Sequence, residues 1–140
     1  MKIFLMYVII RLNMKMILAI SAGGILGSLA RYYLSVLFQK MTVSPFPVGT
    51  LIVNLTGCFL IGFVMKLSLS RPSFPIEMRL FLVTGFAGAY TTFSTFEYET
   101  LNLIINNEIR MALANVFFSN VMGLAAVYAG SFAASGTVLK

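Results

Sequence analysis

Apolar residues fill most of the chain in four long runs, and short polar or proline-containing stretches separate these runs. A helix needs about 20 residues to cross the hydrocarbon core of a bilayer, so each run is long enough for one transmembrane span. We predict spans at residues 16–38, 48–69, 80–105 and 110–132. The pattern indicates an all-α membrane protein with one four-helix domain at residues 14–132, followed by a short tail at 133–140.

Polar residues interrupt the third predicted span, which is longer than one crossing needs. Two glycines precede a cluster of hydroxyl groups at Thr91, Thr92, Ser94 and Thr95. Irregular backbone at membrane depth is tolerated only where protein buries it or where it lines a cavity. Discontinuous spans of this kind point to an ion or substrate site. We therefore predict a helix broken near residues 88–92, with the functional centre of the protein at the break.

Several other positions in the spans indicate close packing or chemistry. Gly23 and Gly27 form a GxxxG pair, which lets a neighbouring helix approach closely. Arg31 lies in the same span, where a charge is a functional candidate by default; snorkelling to the interface is an equally good interpretation at this point. Asn54, in the second span, serves either as an interhelical hydrogen bond or as a donor in a pore.

Composition excludes several classes of protein. Only 10% of the 140 residues are charged, against about 25% in soluble domains. The net charge of +6 lies mostly at the ends of apolar runs, which indicates topology and headgroup contact rather than nucleic acid. There is no histidine and only one cysteine, Cys58, so neither an enzyme site nor a transition-metal cluster is expected. Residues 1–13 are interpreted as an N-terminal extension or an alternative start before Met14.

The polar groups in the spans are mostly neutral donors, with Arg31 as a local positive charge. Neutral donors replace part of the hydration shell of an anion, and the positive edge of an aromatic ring also faces anions favourably. Phe93 and Phe96 are spaced i, i+3 and share a helical face. Together with Asn54 and the hydroxyls they fit a narrow pore for a small anion, although ordinary helix packing also explains two phenylalanines.

Three segments resemble the Fluc or CrcB family of fluoride channels. They read GGILGSLARY at residues 23–32, GTLIVNLTGCFLIG at residues 49–62 and GFAGAYTTFSTFEYE at residues 85–99. The segments are similar to the family's motifs in order and in spacing, and the resemblance covers about residues 14–130. The third motif is long and unusual in composition, which makes it the most specific of the three.

The resemblance implies passive export of cytoplasmic fluoride by an antiparallel dimer of four-helix subunits with two narrow pores. By matching motif position, the pore phenylalanines are Phe93 and Phe96, and the pore asparagine is Asn54. The remaining implied groups are hydroxyls in or near the pore and an arginine in the aqueous vestibule: Ser94, Thr95, Ser119 and Arg31.

The resemblance also implies a structural sodium ion at the dimer centre. The backbone carbonyls of Gly88 and Thr91 would hold it, since such oxygens suit a hard cation. One departure from the family concerns the fourth span, where relatives often carry tyrosine four residues before the serine. This chain has Asn115 there, which leaves the detail of one end of the pore open.

Two other classes of protein remain as alternatives. A small proton-coupled drug exporter needs a titratable carboxylate within a span, and the first span has none, while Glu97 and Glu99 lie near the end of the third. A non-transporting assembly subunit would use the hydroxyl cluster only as interhelical glue.

The positive charges are unevenly distributed between the two sides of the predicted membrane domain. One side carries seven lysines and arginines and the other carries two, with Arg31 left out as intramembrane; a start at Met14 leaves five against two. The positive-inside rule then favours an orientation with both termini in the cytoplasm. An antiparallel homodimer needs balanced charges, so the partner is either a second copy or an oppositely oriented paralogue.

Overall fold

The computed structural model describes residues 14–138, and every structural statement below concerns this range. Residues 1–13, which the sequence assigns to an extension or alternative start, lie outside it. The described chain is helical and contains no strand. Its elements are α1 (Met14–Lys40), α2 (Val48–Ser70), α3 (Ile76–Arg79), a π-helical segment (Leu80–Ala87), α4 (Gly88–Tyr90), α5 (Phe93–Ile105) and α6 (Ile109–Val138).

Three of the described helices, α1, α2 and α6, are long and apolar enough to cross a membrane. The third predicted span is a composite of α3, the π-helical segment and α4, followed by α5 after a break at Thr91 and Thr92. The prediction of a broken third helix in an all-helical multi-pass membrane protein is therefore confirmed. The last helix continues to Val138, so most of the predicted tail at residues 133–140 is helical.

Glycines bring the backbones of neighbouring helices into direct contact. A Cβ atom on Gly23 or Gly27 of α1 would overlap the backbone carbonyl oxygens of Phe81 and Phe86, respectively. The close approach expected of the GxxxG pair is therefore confirmed, with the π-helical segment as its partner. Small residues serve this purpose in membranes because lipid is as apolar as the side chains, so van der Waals packing must drive helix association.

The same device joins α2 to α6. A Cβ on Gly62 would overlap the carbonyl oxygen of Val127, and a Cβ on Gly130 would overlap the carbonyl oxygen of Phe59. The two contacts face each other across one interface, which leaves little freedom for these helices to slide. These two contacts therefore make the α2–α6 pair a rigid part of the fold.

A π-helical geometry precedes the break in the third element. The N–H of Gly88 donates to the carbonyl of Val83, five residues earlier. Such insertions are rare and occur often at functional sites. Here the π-helical segment ends immediately before the single turn of α4. The change from the α-helical to the π-helical hydrogen-bond pattern therefore comes shortly before the helix breaks.

A left-handed residue reverses the chain between α5 and α6. Asn107 has φ 62°, a conformation that asparagine tolerates better than most residues. The N–H of Glu108 donates to the carbonyl of Leu103 at 2.8 Å, and the N–H of Asn107 donates to the carbonyl of Ile104 at 3.0 Å. This is the Schellman pattern of helix termination. It turns the chain back so that α6 runs beside the buried face of α5, which presents Phe96, Thr100 and Leu103.

Candidate functional site

Two extended residues break the third element. Thr91 has φ −80° and ψ 155°, and Thr92 has φ −147° and ψ 116°. Thr92 is also the N-cap of α5, because its hydroxyl oxygen accepts the N–H of Thr95 at 3.2 Å. The hydroxyl-rich sequence therefore stabilises the break locally, since N-cap side chains satisfy donors that a helix start leaves unpaired.

The side chain of Asn54 holds the break from α2. Its Oδ1 accepts the N–H of Thr92 at 2.8 Å, and its Nδ2 donates to the carbonyl of Thr92 at 3.1 Å. One amide thus satisfies both backbone groups of an extended residue at membrane depth, where unpaired groups cost several kcal/mol each. The amide nitrogen carries a second N–H that these two bonds do not use.

A cavity of about 230 Å³ lies beside the break, between α2, α5 and α6. It brings together four residues that the sequence assigns to the pore: Asn54, Phe93, Phe96 and Ser119. We call it the phenylalanine cavity, and its other lining residues are Cys58, Ile61, Thr91, Thr92 and Asn120. Its walls carry neutral amide and hydroxyl groups and two aromatic rings, with no ionisable carboxylate among them.

The two phenylalanines differ in exposure although their rings are neighbours. The ring centroids of Phe93 and Phe96 lie 5.8 Å apart with the planes tilted by 42°. Phe96 is 7% exposed, whereas Phe93 is 74% exposed. One ring is therefore fixed within the subunit, and the other stands free at its surface.

A second cavity, of about 270 Å³, lies on the other side of Thr92. We call it the arginine cavity, because Arg31 is its only charged lining residue; the others are Ser28, Tyr32, Ser35, Thr50, Val53, Thr92 and Thr95. Thr92 lines both cavities. The structure therefore places two of the predicted residues, Arg31 and Thr95, in a polar space adjoining the phenylalanine cavity, whereas Ser94 lines neither cavity.

A third cavity, of about 360 Å³, carries the opposite charge. Glu99 and Glu108 line it together with three amide side chains, Gln39, Asn102 and Asn106. The hydroxyl of Thr50 donates to Oε1 of Glu99 at 2.8 Å, which ties this acidic side to the wall of the arginine cavity. Two carboxylates make this larger cavity unfavourable for an anion, so the first two cavities are the better candidates.

The start of α5 adds a positive field to the phenylalanine cavity. The first N–H groups of a helix have no intrahelical acceptor, and the helix dipole places about half a positive charge at this end. α5 spans 13 residues and begins at Phe93, which lines the cavity. Helix N-termini are suited to anions for this reason.

Two backbone carbonyls at the break lose their usual helical donors. In a continuous helix, the N–H of Thr92 would donate to the Gly88 carbonyl and the N–H of Thr95 to the Thr91 carbonyl. Thr92 donates to Asn54 instead, and Thr95 donates to the hydroxyl of Thr92. Gly88 and Thr91 are the pair that the sequence assigns to a sodium ion. Within residues 14–138 no three His, Cys, Asp or Glu side chains cluster as metal ligands.

Sequence reasoning placed Thr92 in the hydroxyl cluster at the break but gave it no role in the pore, although it lines both cavities and caps α5. The available signal was its position three residues before Thr95, which is the spacing of an N-cap bond. Cys58 and Ile61 follow Asn54 at i+4 and i+7, so the helical period also signalled that they share the cavity wall with it.

A family model described as CrcB-like protein, Camphor Resistance (CrcB), matches residues 18–131, which is most of the chain. The chain belongs to the CrcB family. The matched range includes every residue named above in the phenylalanine cavity, from Asn54 on α2 to Asn120 on α6.

Three curated relatives of this CrcB chain carry the name "Fluoride-specific ion channel FluC". The protein of that name from Dehalococcoides mccartyi is 43% identical over 124 residues, covering 89% of this chain and 94% of the relative. The one from Methanococcus aeolicus is 49% identical over 119 residues, covering 84% and 93%. The one from Nitrobacter winogradskyi is 46% identical over 114 residues, covering 81% and 90%.

Proposed function

We propose that this chain is a subunit of a fluoride-selective channel that exports cytoplasmic fluoride passively and so relieves its toxicity. The observation that carries the proposal is the phenylalanine cavity, with its neutral donors and aromatic rings, in a CrcB chain. The curated relatives, 43–49% identical over most of their length, are named as fluoride-specific channels. The proposed activity is transport and requires no enzymatic step.

The chemistry of the two cavities supports anion transfer without an energy-consuming step. Hydrofluoric acid enters a cell in its neutral form and dissociates in the less acidic cytoplasm, which traps fluoride. A negative-inside potential then drives the anion out with about 2.3 kcal/mol per 100 mV. Arg31 would concentrate anions in the arginine cavity, and the neutral groups of the phenylalanine cavity would replace the water that the ion leaves behind.

The roles of individual residues follow their positions in this arrangement. Phe93 and Phe96 would present ring edges to the ion, and Asn54 would donate its second amide N–H while it clamps the break. Three hydroxyls would serve as polar groups in or near the path: Ser119 in the phenylalanine cavity, Thr95 in the arginine cavity, and Ser94 at the exposed start of α5.

An antiparallel dimer would complete the pore. Phe93 is mostly exposed although its ring touches the buried Phe96 and lines the cavity. A large apolar side chain at the mouth of a polar cavity is well placed to be covered by a second subunit. The partner is a second copy of this chain or an oppositely oriented paralogue, with both lying in the cell membrane.

Fluoride efflux from liposomes tests the function. We expect the purified antiparallel dimer to release loaded fluoride once valinomycin supplies a potassium leak, as a fluoride electrode would record. Chloride-loaded liposomes and liposomes without protein are the controls. Efflux that depends on a proton gradient would favour an exporter, and a correctly assembled dimer without efflux would favour a non-transporting subunit.

A sodium ion held by the carbonyls of Gly88 and Thr91 is the second part of the proposal. The freed carbonyls support it, because uncoordinated oxygens at this depth are costly and suit a hard cation. The ion would lie on the dimer axis and serve assembly. We expect replacement of all sodium by N-methylglucamine to weaken subunit association and to lower fluoride efflux together. Indifference of both measurements to the exchange would contradict a structural sodium ion.

The charge bias of seven positive residues against two supports a single orientation with both termini in the cytoplasm. We expect tags at either end to be shielded from external protease in intact cells. A matched variant that carries two added lysines in the loop at residues 41–47 should show a mixture of orientations. If the unmodified chain itself gives equal inside and outside populations and full fluoride efflux alone, an obligate heterodimer is excluded.

A further inference from the structure

A chain of hydrogen bonds runs behind the phenylalanine cavity. The hydroxyl of Ser119 donates to Oδ1 of Asn115 at 3.5 Å, and Nδ2 of Asn115 donates to Oγ1 of Thr100 at 2.8 Å. The hydroxyl of Thr100 in turn donates to the carbonyl of Phe96 at 2.8 Å. Asn115 is 1% exposed and Thr100 is 7% exposed, so the bond between them is buried, whereas the bond from Ser119 is only partly buried.

The two ends of this chain lie in the same cavity on different helices. Phe96 lines the phenylalanine cavity from α5, and Ser119 lines it from α6. The two central residues, Asn115 and Thr100, line none of the three cavities described above. Asn115 therefore has no contact with the space that an ion would occupy, and any effect it has on an ion must pass through its neighbours.

We infer that Asn115 is a positioning residue that fixes the separation of Phe96 and Ser119, and thereby the preference of the cavity for fluoride over chloride. The inference rests on the proposed fluoride channel. α5 and α6 meet here through a buried amide–hydroxyl pair rather than through glycine contacts such as those that join α2 to α6. Because no water competes for these groups at membrane depth, the pair holds one distance rather than several.

The bond from Ser119 has a second consequence. At 3.5 Å it is at the long limit for a hydrogen bond and correspondingly weak. Asn115 therefore holds the Ser119 hydroxyl only loosely, and this hydroxyl can turn toward a stronger acceptor in the cavity.

Paired substitutions separate positioning from a general loss of stability. The variants Asn115→Leu and Thr100→Val each remove one side of the amide–hydroxyl bond at nearly constant volume, and Thr100→Ser keeps the hydroxyl. The readout is the ratio of fluoride to chloride efflux from liposomes, with dimer content checked by crosslinking. We expect each apolar variant to lower the ratio about fivefold, as the loss of one neutral hydrogen bond predicts. Thr100→Ser should retain the wild-type ratio.

The double variant decides whether the two residues act as one unit. We expect Asn115→Leu with Thr100→Val to lower the ratio by about the same factor as either single change, because both remove the same bond. Asn115→Leu combined with Thr56→Val is the matched control, since the hydroxyl of Thr56 on α2 bonds to that of Tyr90 on α4, which is a separate hydrogen bond and should contribute independently.

Three results would overturn the inference. The ratio could stay unchanged in variants that still pass fluoride, the two effects could multiply in the double variant, or Thr100→Ser could lose selectivity as Thr100→Val does. A wild-type dimer that passes no fluoride would instead refute the proposed function, and the inference with it. Because Thr100→Ser keeps the hydroxyl that Thr100→Val removes, the comparison at position 100 tests the inference even where Asn115→Leu fails to assemble.

Discussion

Replacing Phe96 with isoleucine is expected to lower fluoride efflux from liposomes by up to about tenfold while the dimer remains assembled. An aromatic edge contact contributes about 0.5–1.5 kcal/mol beyond burial, and isoleucine keeps the bulk but has no such edge. Phe96 is the buried member of the pair, so no neighbouring side chain can easily move into the space that its ring leaves. A fluoride electrode measures the rate, and crosslinking measures the dimer content.

Phe93→Ile is expected to have a comparable effect, because its ring touches that of Phe96 at the mouth of the cavity. Phe132→Ile is the matched control: Phe132 is 72% exposed and lies 13 positions beyond Ser119 on α6, about 20 Å along the helix. Wild-type efflux in both Phe93→Ile and Phe96→Ile would remove the phenylalanines from the ion path.

Replacing Asn54 with leucine is expected to abolish fluoride efflux and to weaken sodium-dependent assembly at the same time. Leucine offers no partner for the N–H and carbonyl of Thr92, each of which costs several kcal/mol when unpaired at this depth. The N–H of Thr92 can then return to the carbonyl of Gly88 and partly close the break. Efflux and crosslinking, each measured with and without sodium, test the two effects.

Asn54→Asp is the matched variant for this prediction. An aspartate keeps an acceptor for the N–H of Thr92 and loses the donor to its carbonyl, so the break should persist better than in Asn54→Leu. Its negative charge in the cavity wall should nevertheless repel an anion. Assembly with sodium but little efflux is therefore expected for Asn54→Asp, and normal efflux from Asn54→Leu would refute the clamp.

The arrangement of spans could be predicted because each depends on local sequence. Apolar runs of membrane-spanning length, the Gly23–Gly27 pair and the glycine- and hydroxyl-rich stretch before Phe93 act through hydropathy, close packing and helix breaking. These three properties can be predicted from the local sequence without knowing which helices pack against it. The extent of the last helix was less readable, since the small residues after Phe132 resemble a tail and yet remain helical to Val138.

The hydrogen bonds between helices could not be predicted in the same way. Asn54 was ambiguous between an interhelical bond and a pore donor, and the structure gives it both backbone groups of Thr92 as partners, 38 residues away. Asn115 stood out only as a departure from the tyrosine of relatives. Its bond to Thr100 depends on the turn at Asn107, which sets the register of α6 against α5. Such pairings follow from tertiary register, which the hydrophobic period does not specify.

The freed carbonyls of Gly88 and Thr91 have a consequence for how this protein can change over generations. They belong to the main chain, so no exchange of one side chain for another deletes them. Their availability depends instead on where the N–H groups of Thr92 and Thr95 are directed, and hence on Asn54 and on the hydroxyl of Thr92. Mutational loss of the proposed sodium site is therefore expected at Asn54 and Thr92, which contribute no proposed ligand themselves.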